Sequence, residues 1–188
     1  MSIEDAVRLH VDVGDTLYID QNSQAGIRGL IRTFAGRDAG FHIVCYRGGE
    51  VVPDLVALGL ISHLTTSSLA SRALPPHRIA TLQRAFATDT LQLSSWSLHS
   101  LTLRLMAAAL RWPLVPVPMM SGTTMAIRNF GALATVENPF THDSLLVATP
   151  LPTDLAIVHA LLSDSSGHAV VLPPSAEFGR ANGKHAVR

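Results

Sequence analysis

The chain contains a single cysteine, Cys45, among its 188 residues. One thiol cannot form an internal disulfide, and it cannot supply a cluster of thiolate ligands to a metal. Long apolar runs are missing as well, since segments such as residues 105–110 are far shorter than the roughly 20 residues that cross a bilayer. The sequence therefore excludes a disulfide-stapled fold and predicts no membrane-spanning helix.

Charge is scarce and balanced. Charged residues make up 15% of the chain, against roughly 25% in ordinary soluble domains, and 14 basic residues match 14 acidic ones. Without a basic block, nothing draws the chain to nucleic acid or to an anionic membrane. Hydrophobic residues reach 47%, so we expect a partner subunit to cover part of the surface. The start, MSIEDAVRLH, carries acids where a signal peptide carries bases, which favours a cytoplasmic protein.

Common catalytic motifs are also missing. The sequence has no G-x-S-x-G elbow, Walker A loop, H-E-x-x-H or G-x-G-x-x-G. Its nine histidines are scattered, and no two are spaced as neighbours on one helix face, so we predict no metal site. Glu137 is followed by Asn138 and Pro139. A nucleophilic glutamate needs amide donors nearby to stabilise the oxyanion, and proline has none, so the pattern favours a structural Glu137.

Short apolar runs alternate with helical patterns along the chain. We predict helices at residues 7–11, 24–34, 53–60, 77–87 and 97–110, and strands at 16–19, 41–46, 61–65, 91–93, 114–117, 131–136, 145–148, 156–161 and 169–172. This alternation predicts an α/β fold, an open and mostly parallel sheet with helices on both faces in three layers. We expect one domain over residues 1–174 and a poorly ordered tail over residues 175–188.

Segments that follow strands are the candidate ligand sites, because open α/β sheets bind ligands at the carboxyl ends of their strands. Asn22, Ser23 and Gln24 open a helix after the first strand, where backbone N–H groups suit a carboxylate or thioester oxygen. A plain helix cap by Asn22 or Ser23 fits the same residues equally well.

Three further segments follow predicted strands. Glycine after the second strand lets a ligand approach the backbone, although a simple turn fits too. The other two segments are clusters of hydroxyl side chains, which are also common on protein surfaces. We expect all four segments to meet at one edge of a single sheet and to bind substrate there; the further candidates are Gly48, Gly49, Ser67, Ser68, Ser121 and Thr123.

Three stretches of the chain carry a family resemblance: GGEVVPDLVALGLISHL at 48–64, SWSLHSLTLRLMAAALRWPLVPV at 95–117 and LLVATPLPTDLAIVHALLSDSSGHAVV at 145–171. They resemble the α subunit of class I coenzyme A transferases, especially the glutaconate CoA-transferase-like branch. The last stretch is the most specific, because its members follow the family's order at close to its spacing: Pro150, Asp154, His159, Asp164 and Gly167. The four residues from Asp164 to Gly167 predict a tight turn with Gly167 at positive φ, and His159 is predicted on the strand before it.

The resemblance implies a chain without its own nucleophile. In that family the attacking glutamate belongs to the β subunit and forms a glutamyl-CoA thioester, while the α chain completes the acyl pocket. A β-type partner in a heterodimer or an α2β2 assembly is therefore implied. Acyl-CoA and carboxylic acids are the implied substrates, and no permanently bound cofactor is expected.

Several positions depart from the family pattern. The first loop, residues 20–26, lacks the usual run of glycines, Ser95 stands where the glutaconate-like branch often has a glutamate, and His168 replaces an asparagine. The chain also stops ahead of the family's closing strand. Two alternatives therefore stay open beside a transferase subunit. One is an acyl-CoA hydrolase or C–C bond-cleaving enzyme on the same fold, and the other is a non-catalytic subunit that stabilises its partner.

Overall fold

The computed structural model of the protein describes residues 1–20, 22–49, 52–69 and 74–171. Gln21, the last residue of the final predicted strand and the predicted tail lie outside the described residues. The described α-helices are α1 (Ile3–His10), α2 (Gln24–Phe34), α3 (Val52–Ala57), α4 (Pro76–Ala87), α5 (Leu98–Ala109) and α6 (Thr124–Arg128). Short 3₁₀ helices at Pro118–Met120 and Phe130–Ala132 flank α6. None of the helices in the described ranges has the length and apolar character of a bilayer span.

Ten strands form three sheets in the described part of the chain. They are β1 (Thr16–Ile19), β2 (Phe41–Arg47), β3 (Ile61–Ser68), β4 (Gln92–Ser95), β5 (Val115–Pro116), β6 (Leu133–Glu137), β7 (Ser144–Ala148), β8 (Leu155–Ile157), β9 (Ala160–Ser163) and β10 (Ala169–Val171). The main sheet has the order β4-β3-β2-β1-β8, and all of its pairings are parallel. The predicted parallel sheet is confirmed.

The direction in which strands are added explains why helices α2 to α4 share one face of this sheet, and α1 packs against α2 in the same core. From β1 to β4 each strand is added on the same side of the last one, and right-handed crossovers in one direction put every connecting helix on one face. Apolar side chains of these helices pack there against alternate residues of β2, among them Leu30, Phe34, Leu55, Phe41 and Ile43.

The other face is covered by α5 and by a second sheet. After β4 the direction of strand addition across the sheet reverses, and the next strand of this sheet, β8, joins the opposite edge beside β1. Between these strands lie α5 and a three-stranded antiparallel sheet with the order β5-β7-β6. A second core forms here around Val44, Trp96, Leu101 and Ala148. The predicted three-layer α/β fold is confirmed, with the second face shared by a helix and a small sheet.

Two strand predictions need correction. The predicted strand at 114–117 is the two-residue β5, and it belongs to the antiparallel sheet instead of the main one. The predicted strand at 156–161 is two strands, because β8 lies in the main sheet and β9 pairs with β10 in a separate hairpin. His159 lies in the gap between β8 and β9 and not on a strand, so that placement was also wrong.

The hairpin turn itself is as predicted. Gly167 has φ +85°, a conformation that glycine adopts without strain. The carboxylate of Asp164 accepts hydrogen bonds from the backbone N–H groups of Ser166 and His168, each at 2.9 Å. The Asp-Ser-Ser-Gly sequence therefore sets the return of the chain from β9 to β10.

Helix α5 buries a different stripe from the predicted one. In the sequence, Leu98, Leu101, Leu105 and Ala108 recur at helical spacing and predict that this stripe is buried. The buried residues in the structure are instead Ser100, Leu101, Arg104 and Ala107. Ser97 caps the helix by accepting a hydrogen bond from the Ser100 N–H at 3.1 Å. The buried stripe thus contains one full charge, which a hydrophobic pattern cannot anticipate.

Candidate functional site at the carboxyl edge of the parallel sheet

Hydrogen bonds tie together the segments that follow the strands of the main sheet. The Gly48 N–H donates to the Ser68 carbonyl at 2.9 Å, and the Trp96 N–H donates to the Thr66 carbonyl at 3.0 Å. On the other side, the Ser23 hydroxyl donates to the Ile157 carbonyl at 2.9 Å. The structure therefore brings three predicted segments to one edge, those of Asn22 to Gln24, Gly48 to Gly49 and Ser67 to Ser68.

The first loop leaves the start of α2 uncapped. Ser23 is buried, and its hydroxyl bonds β8 instead of the first N–H groups of α2, which receive no side-chain cap. The plain-cap alternative is therefore wrong. The Asp20 carboxylate accepts a hydrogen bond from the Asn22 N–H at 3.2 Å, whereas the side chains of Asn22 and Gln24 are exposed. An uncapped helix start beside exposed amides suits an acceptor such as a carboxylate or thioester oxygen.

Gly26 allows α2 to approach the edge strand closely. A Cβ atom on Gly26 would lie 2.3 Å from Cγ2 of Ile157 in β8, so a larger residue cannot fit without movement. The strand order changes direction between β1 and β8, which is where open α/β sheets form their ligand crevice. Gly26 thus sets the position of the α2 start at that crevice.

Gly48 is constrained by packing. A Cβ there would lie 2.8 Å from Val52 Cγ2 and 3.1 Å from Leu69 Cδ2. Both Gly48 and Gly49 are buried. Close packing between β2, the start of α3 and the end of β3 is therefore one reason for glycine at position 48, in addition to the predicted approach of a ligand.

The hydroxyl groups after β3 mainly bond the backbone. Ser67 donates to the Tyr46 carbonyl at 2.7 Å, and the Thr66 hydroxyl lies 3.3 Å from the same carbonyl and 3.1 Å from the Ser68 carbonyl. Hydroxyl protons used in this way are not available to a ligand, although the oxygen lone pairs are. Thr66, which the sequence did not single out, holds the end of β3 against β2.

Ser121 and Thr123 do not follow a strand of the main sheet, so the expectation of four segments at one edge of a single sheet was wrong for them. Thr123 caps α6 by accepting a hydrogen bond from the Ala126 N–H at 3.2 Å. The end of α6 still lies at the carboxyl edge of the main sheet, because Asn129, which follows this helix, donates through Nδ2 to the Ser95 carbonyl at 2.7 Å. α6 therefore packs beside the carboxyl end of β4, where the sequence alone could not place it.

Carboxylates are sparse at this edge. In the described residues, Asp20 is the one carboxylate that directly follows a strand of the main sheet. Glu137 lies at the end of β6, exposed and bonded to Nδ1 of His142 at 2.7 Å. This pairing closes the β6–β7 hairpin and agrees with a structural role for Glu137.

Sequence reasoning missed the buried charge on α5 and a pair of stacked histidines on the sheet. Arg104 is buried, lies 4.0 Å above the centre of the Trp96 ring and donates through Nε to the Thr149 carbonyl at 2.8 Å. Burial lowers its pKa to about 10. His42 and His63 stack at 4.1 Å on the sheet beneath. Burial, together with the charges of His63 and Arg104, lowers the pKa of His42 to about 4.

A groove of about 410 Å³ runs along the other face of β8, between that strand, α1 and the start of α2. Its walls are mainly apolar, with the polar residues Ser23, His10 and His159 among them. β8 is an edge strand of the main sheet, so its outer side carries no strand in the described residues.

No model of a known protein family and no curated protein sequence matches the chain. Solved structures do match. A cysteine-to-serine variant of the decarboxylase AibA/AibB superposes with a TM-score of 0.78 at 23% identity, over 95% of this chain and 68% of that one. Glutaconate coenzyme A-transferase from Acidaminococcus fermentans gives a TM-score of 0.72 at 19% identity, over 91% of this chain and 59% of that one. This protein has the coenzyme A transferase fold.

A third structure supports the same fold at lower coverage. The acyl-CoA transferase YdiF from Escherichia coli O157:H7, in a thioester complex with CoA, gives a TM-score of 0.65 at 16% identity, over 83% of this chain and 35% of that one. The coenzyme A transferase resemblance found in the sequence is thus confirmed at the level of the fold. This chain spans between 35% and 68% of the length of these three structures.

Proposed function

We propose that this chain is the α-type subunit of a two-subunit enzyme that moves CoA between carboxylic acids. The observation that carries the proposal is the agreement in fold with glutaconate coenzyme A-transferase, at a TM-score of 0.72 over 91% of this chain. A covalent thioester on a glutamate of a β-type partner is the intermediate that the family resemblance implies. The substrates are an acyl-CoA and a free acid, and we place the complex in the cytoplasm.

The need for a partner agrees with two features of the chain. First, Asp20 is the one carboxylate directly after a main-sheet strand in the described residues, and its side chain bonds the Asn22 N–H. Second, large apolar side chains are exposed, with Ile127 at 75%, Phe130 at 80% and Phe140 at 90%. Large apolar side chains exposed in this way are suited to a protein interface. A partner would both cover these side chains and supply the reactive glutamate, in a heterodimer or an α2β2 assembly.

The residues of the carboxyl edge then have distinct roles. The uncapped start of α2, with Asn22 and Gln24, would hold the thioester or carboxylate oxygen by N–H donation. Gly48 and Gly49 would let the acyl chain pass close to the backbone. Ser23, Ser67 and Thr123 mainly position the loops, since their side chains bond backbone groups. Ser68 has a similar role, because its carbonyl accepts a hydrogen bond from the Gly48 N–H and its own N–H donates to the Thr66 hydroxyl. Ser121, exposed beyond β5, would bind substrate only at the rim.

A second candidate function is cleavage of a C–C bond on a CoA thioester. It is favoured by the decarboxylase AibA/AibB, whose structure matches this chain at a TM-score of 0.78 and over 95% of its length. The non-glycine first loop and Ser95, which both depart from the transferase pattern, agree with a changed reaction. Both proposed reactions would take place at the carboxyl edge of the main sheet. They differ in the reactive group that the partner supplies and in the product that is released.

Incubating the chain with its partner and a labelled acyl-CoA separates these functions. A transferase leaves CoA attached to a glutamate of the partner, which intact-mass measurement detects, and it exchanges CoA onto an added acid. A C–C cleaving enzyme releases a shortened acyl-CoA and carbon dioxide. Release of free acid and CoA without a trapped thioester would indicate a hydrolase. A well-folded complex without any of these products, over a broad panel of acids, would exclude all three and favour a stabilising subunit.

A further inference from the structure

Arg104 is a buried charge without an acid partner. Its side chain lies on the buried stripe of α5, and the residue is 6% exposed. It takes part in none of the ion pairs in the described part of the chain. Burial lowers its pKa to about 10, so the guanidinium is still charged at neutral pH. Arginine is rarely buried unless it is paired, because an unpaired charge loses its hydration without compensation.

Two residues hold the guanidinium in one orientation. Its plane lies 4.0 Å from the centre of the Trp96 ring. On one side it donates through Nε to the Thr149 carbonyl at 2.8 Å and through Nη2 to the Thr149 hydroxyl at 3.3 Å. A guanidinium has five N–H groups in a rigid fork. The end of the fork is therefore left over, with both N–H groups of Nη1 and the second N–H of Nη2.

This end of the fork is accessible from outside. Nη1 has no hydrogen-bond partner in the described residues, and it is not among their fully enclosed polar atoms that lack one, which are Thr33 Oγ1 and Trp96 Nε1. Nη1 therefore reaches solvent. Trp96 Nε1 is a further donor without an acceptor on the ring beneath the guanidinium. The contact between Arg104 and Trp96 thus has more donors than acceptors, which favours an anion.

The fork lies at the carboxyl edge of the main sheet, close to the proposed partner surface. Trp96 directly follows β4. The Thr149 N–H donates to the Ala132 carbonyl at 3.0 Å, and Ala132 belongs to the same 3₁₀ helix as Phe130, whose side chain is 80% exposed. A partner that covers Phe130 would exclude water from this corner, and a charged hydrogen bond is stronger where water is excluded.

We propose that Arg104 binds the carboxylate of the free acid substrate, through the end of the guanidinium that Thr149 leaves open. The inference rests on the proposed function, because it assigns the residue that recognises one of the two substrates. Two parallel N–H···O bonds from a fixed fork match the two oxygens of a carboxylate. An amide or an ester of the same acid lacks the second charged oxygen, so Arg104 would select the acid.

The fluorescence of Trp96 tests this site in the full chain without a partner. The chain has two tryptophans, so Trp112→Phe leaves Trp96 as the single tryptophan. This variant is titrated with sodium propionate at constant ionic strength, with propionamide as the neutral control and sodium chloride as the salt control. We expect a saturable change in Trp96 emission with propionate alone. No response to propionate, or the same response to propionamide, would overturn carboxylate binding.

Substitutions of Arg104 in this background make the test specific. Arg104→Met removes the charge, and Arg104→Lys keeps the charge but removes the fork. We expect each to weaken propionate binding about tenfold or more, as for the loss of a bidentate charge-assisted contact. Arg84→Met, an exposed position on α4 at the other face, should bind as the parent does. Parent-like binding by either folded Arg104 variant would contradict the proposal. If neither variant folds, the comparison of propionate with propionamide decides the question.

Exchange kinetics in the complex identify the source of the carboxylate. If the carboxylate belongs to the substrate, Arg104→Lys should raise the KM of the acid about tenfold or more and change kcat and the KM of the acyl-CoA little. A weaker association with the partner at an unchanged KM would show that Arg104 binds an acidic side chain of the partner. The assignment to the substrate would then be wrong.

Failure of this site and failure of the proposed transferase give different results. A complex that exchanges CoA, together with a Trp96 signal that does not respond to propionate, would overturn the Arg104 site alone. A chain that binds propionate through Arg104, in a folded complex that exchanges no CoA, would overturn the transferase function and leave the carboxylate site in place.

Discussion

The guanidinium of Arg104 lies 4.0 Å from the centre of the Trp96 ring, and both side chains are buried between α5 and the parallel sheet. Trp96 follows β4 directly, so this contact joins the second turn of α5 to the carboxyl end of the sheet. The Trp96 Nε1 has no hydrogen-bond partner in the described residues. The ring therefore stabilises this corner through its faces, by packing and by attraction to the cation.

A double-mutant cycle should measure this attraction. We expect Arg104→Met and Trp96→Leu each to lower the free energy of unfolding, and the double variant to lose less than their sum. A desolvated cation–π contact predicts a coupling energy of about 1 to 2 kcal/mol, measured by urea unfolding. Pairing Trp96→Leu with Arg84→Met, an exposed arginine on α4, should give additive losses. Additivity in the Arg104 cycle as well would show that the contact contributes no energy of its own.

The stability of the chain should fall in acid because of His42. Its pKa is lowered to about 4 in the folded protein, mainly by burial and then by the charges of His63 and Arg104. A free histidine has a pKa of about 6.5, so in the interval between the two values the unfolded chain binds the proton better. Stability from this group is complete above pH 6.5 or so and is lost as the pH falls towards 4.

The His42→Phe variant isolates the contribution of His42 to the pH dependence of stability, since phenylalanine preserves a stacked ring and does not titrate. We expect the parent to lose on the order of 1 kcal/mol more than the variant between neutral and acidic pH, a figure already discounted because the ring is partly exposed to solvent. Urea unfolding at a series of pH values measures the difference. Parallel curves for the two proteins would contradict the lowered pKa of His42.

Sequence patterns located the main sheet because each of its strands is an apolar run between helical patterns. α2 was predicted at its observed bounds, and Ile27, Leu30 and Phe34, which recur at helical spacing in the sequence, are buried. The second sheet could not be foreseen in this way. β5 is two residues long and pairs with β7, about 30 positions further along the chain. Contacts between such distant segments decide which sheet a short strand joins, and a local pattern does not contain them.

The candidate site was predicted in the same uneven way. Position after a strand is local information, and it correctly brought Asn22, Gly48 and Ser67 to one edge. Hydrogen bonding between distant segments is not local. Ser23 bonds Ile157, 134 positions away, and Arg104 bonds Thr149, 45 positions away. The sequence therefore predicted which loops form the candidate site, but not which of their side chains hydrogen-bond other parts of the chain.

Gly26→Ala should disturb the contact between α2 and β8. The added methyl would lie 2.3 Å from Ile157 Cγ2, a branch atom that cannot swing away freely. We expect a loss of about 1 to 3 kcal/mol in the free energy of unfolding, the usual cost of overpacking. Gly131→Ala is the matched control, since no atom lies within 4 Å of the added carbon. Adding Ile157→Ala should recover part of the Gly26→Ala loss, and no recovery would show that the strain lies elsewhere.

Asn22→Ala and Ser67→Ala should have opposite signatures in the complex with a partner. The Asn22 side chain is exposed at the uncapped start of α2, so its removal should slow acyl exchange about tenfold without changing thermal stability. Ser67 donates to the Tyr46 carbonyl at 2.7 Å, so its removal should cost about 1 kcal/mol of stability and little exchange. Exchange rates and melting temperatures of both variants decide this. An unaffected exchange rate in Asn22→Ala would remove Asn22 from the substrate site.

Phe130 and Phe140 should contribute to partner binding and not to folding. Their side chains are 80% and 90% exposed, so the chain alone gains little from them. Buried aromatic side chains dominate the energy of interfaces, and replacing either phenylalanine by serine should weaken association by about 1 to 3 kcal/mol. Urea unfolding of the isolated variants should match the parent within about 0.5 kcal/mol.

Leu58→Ser, on the turn before β3, is a control for a partly exposed apolar residue on another surface. Calorimetric titration of each variant with the partner gives the affinities, and parent-like binding by the double variant Phe130→Ser, Phe140→Ser would place the interface on a different face.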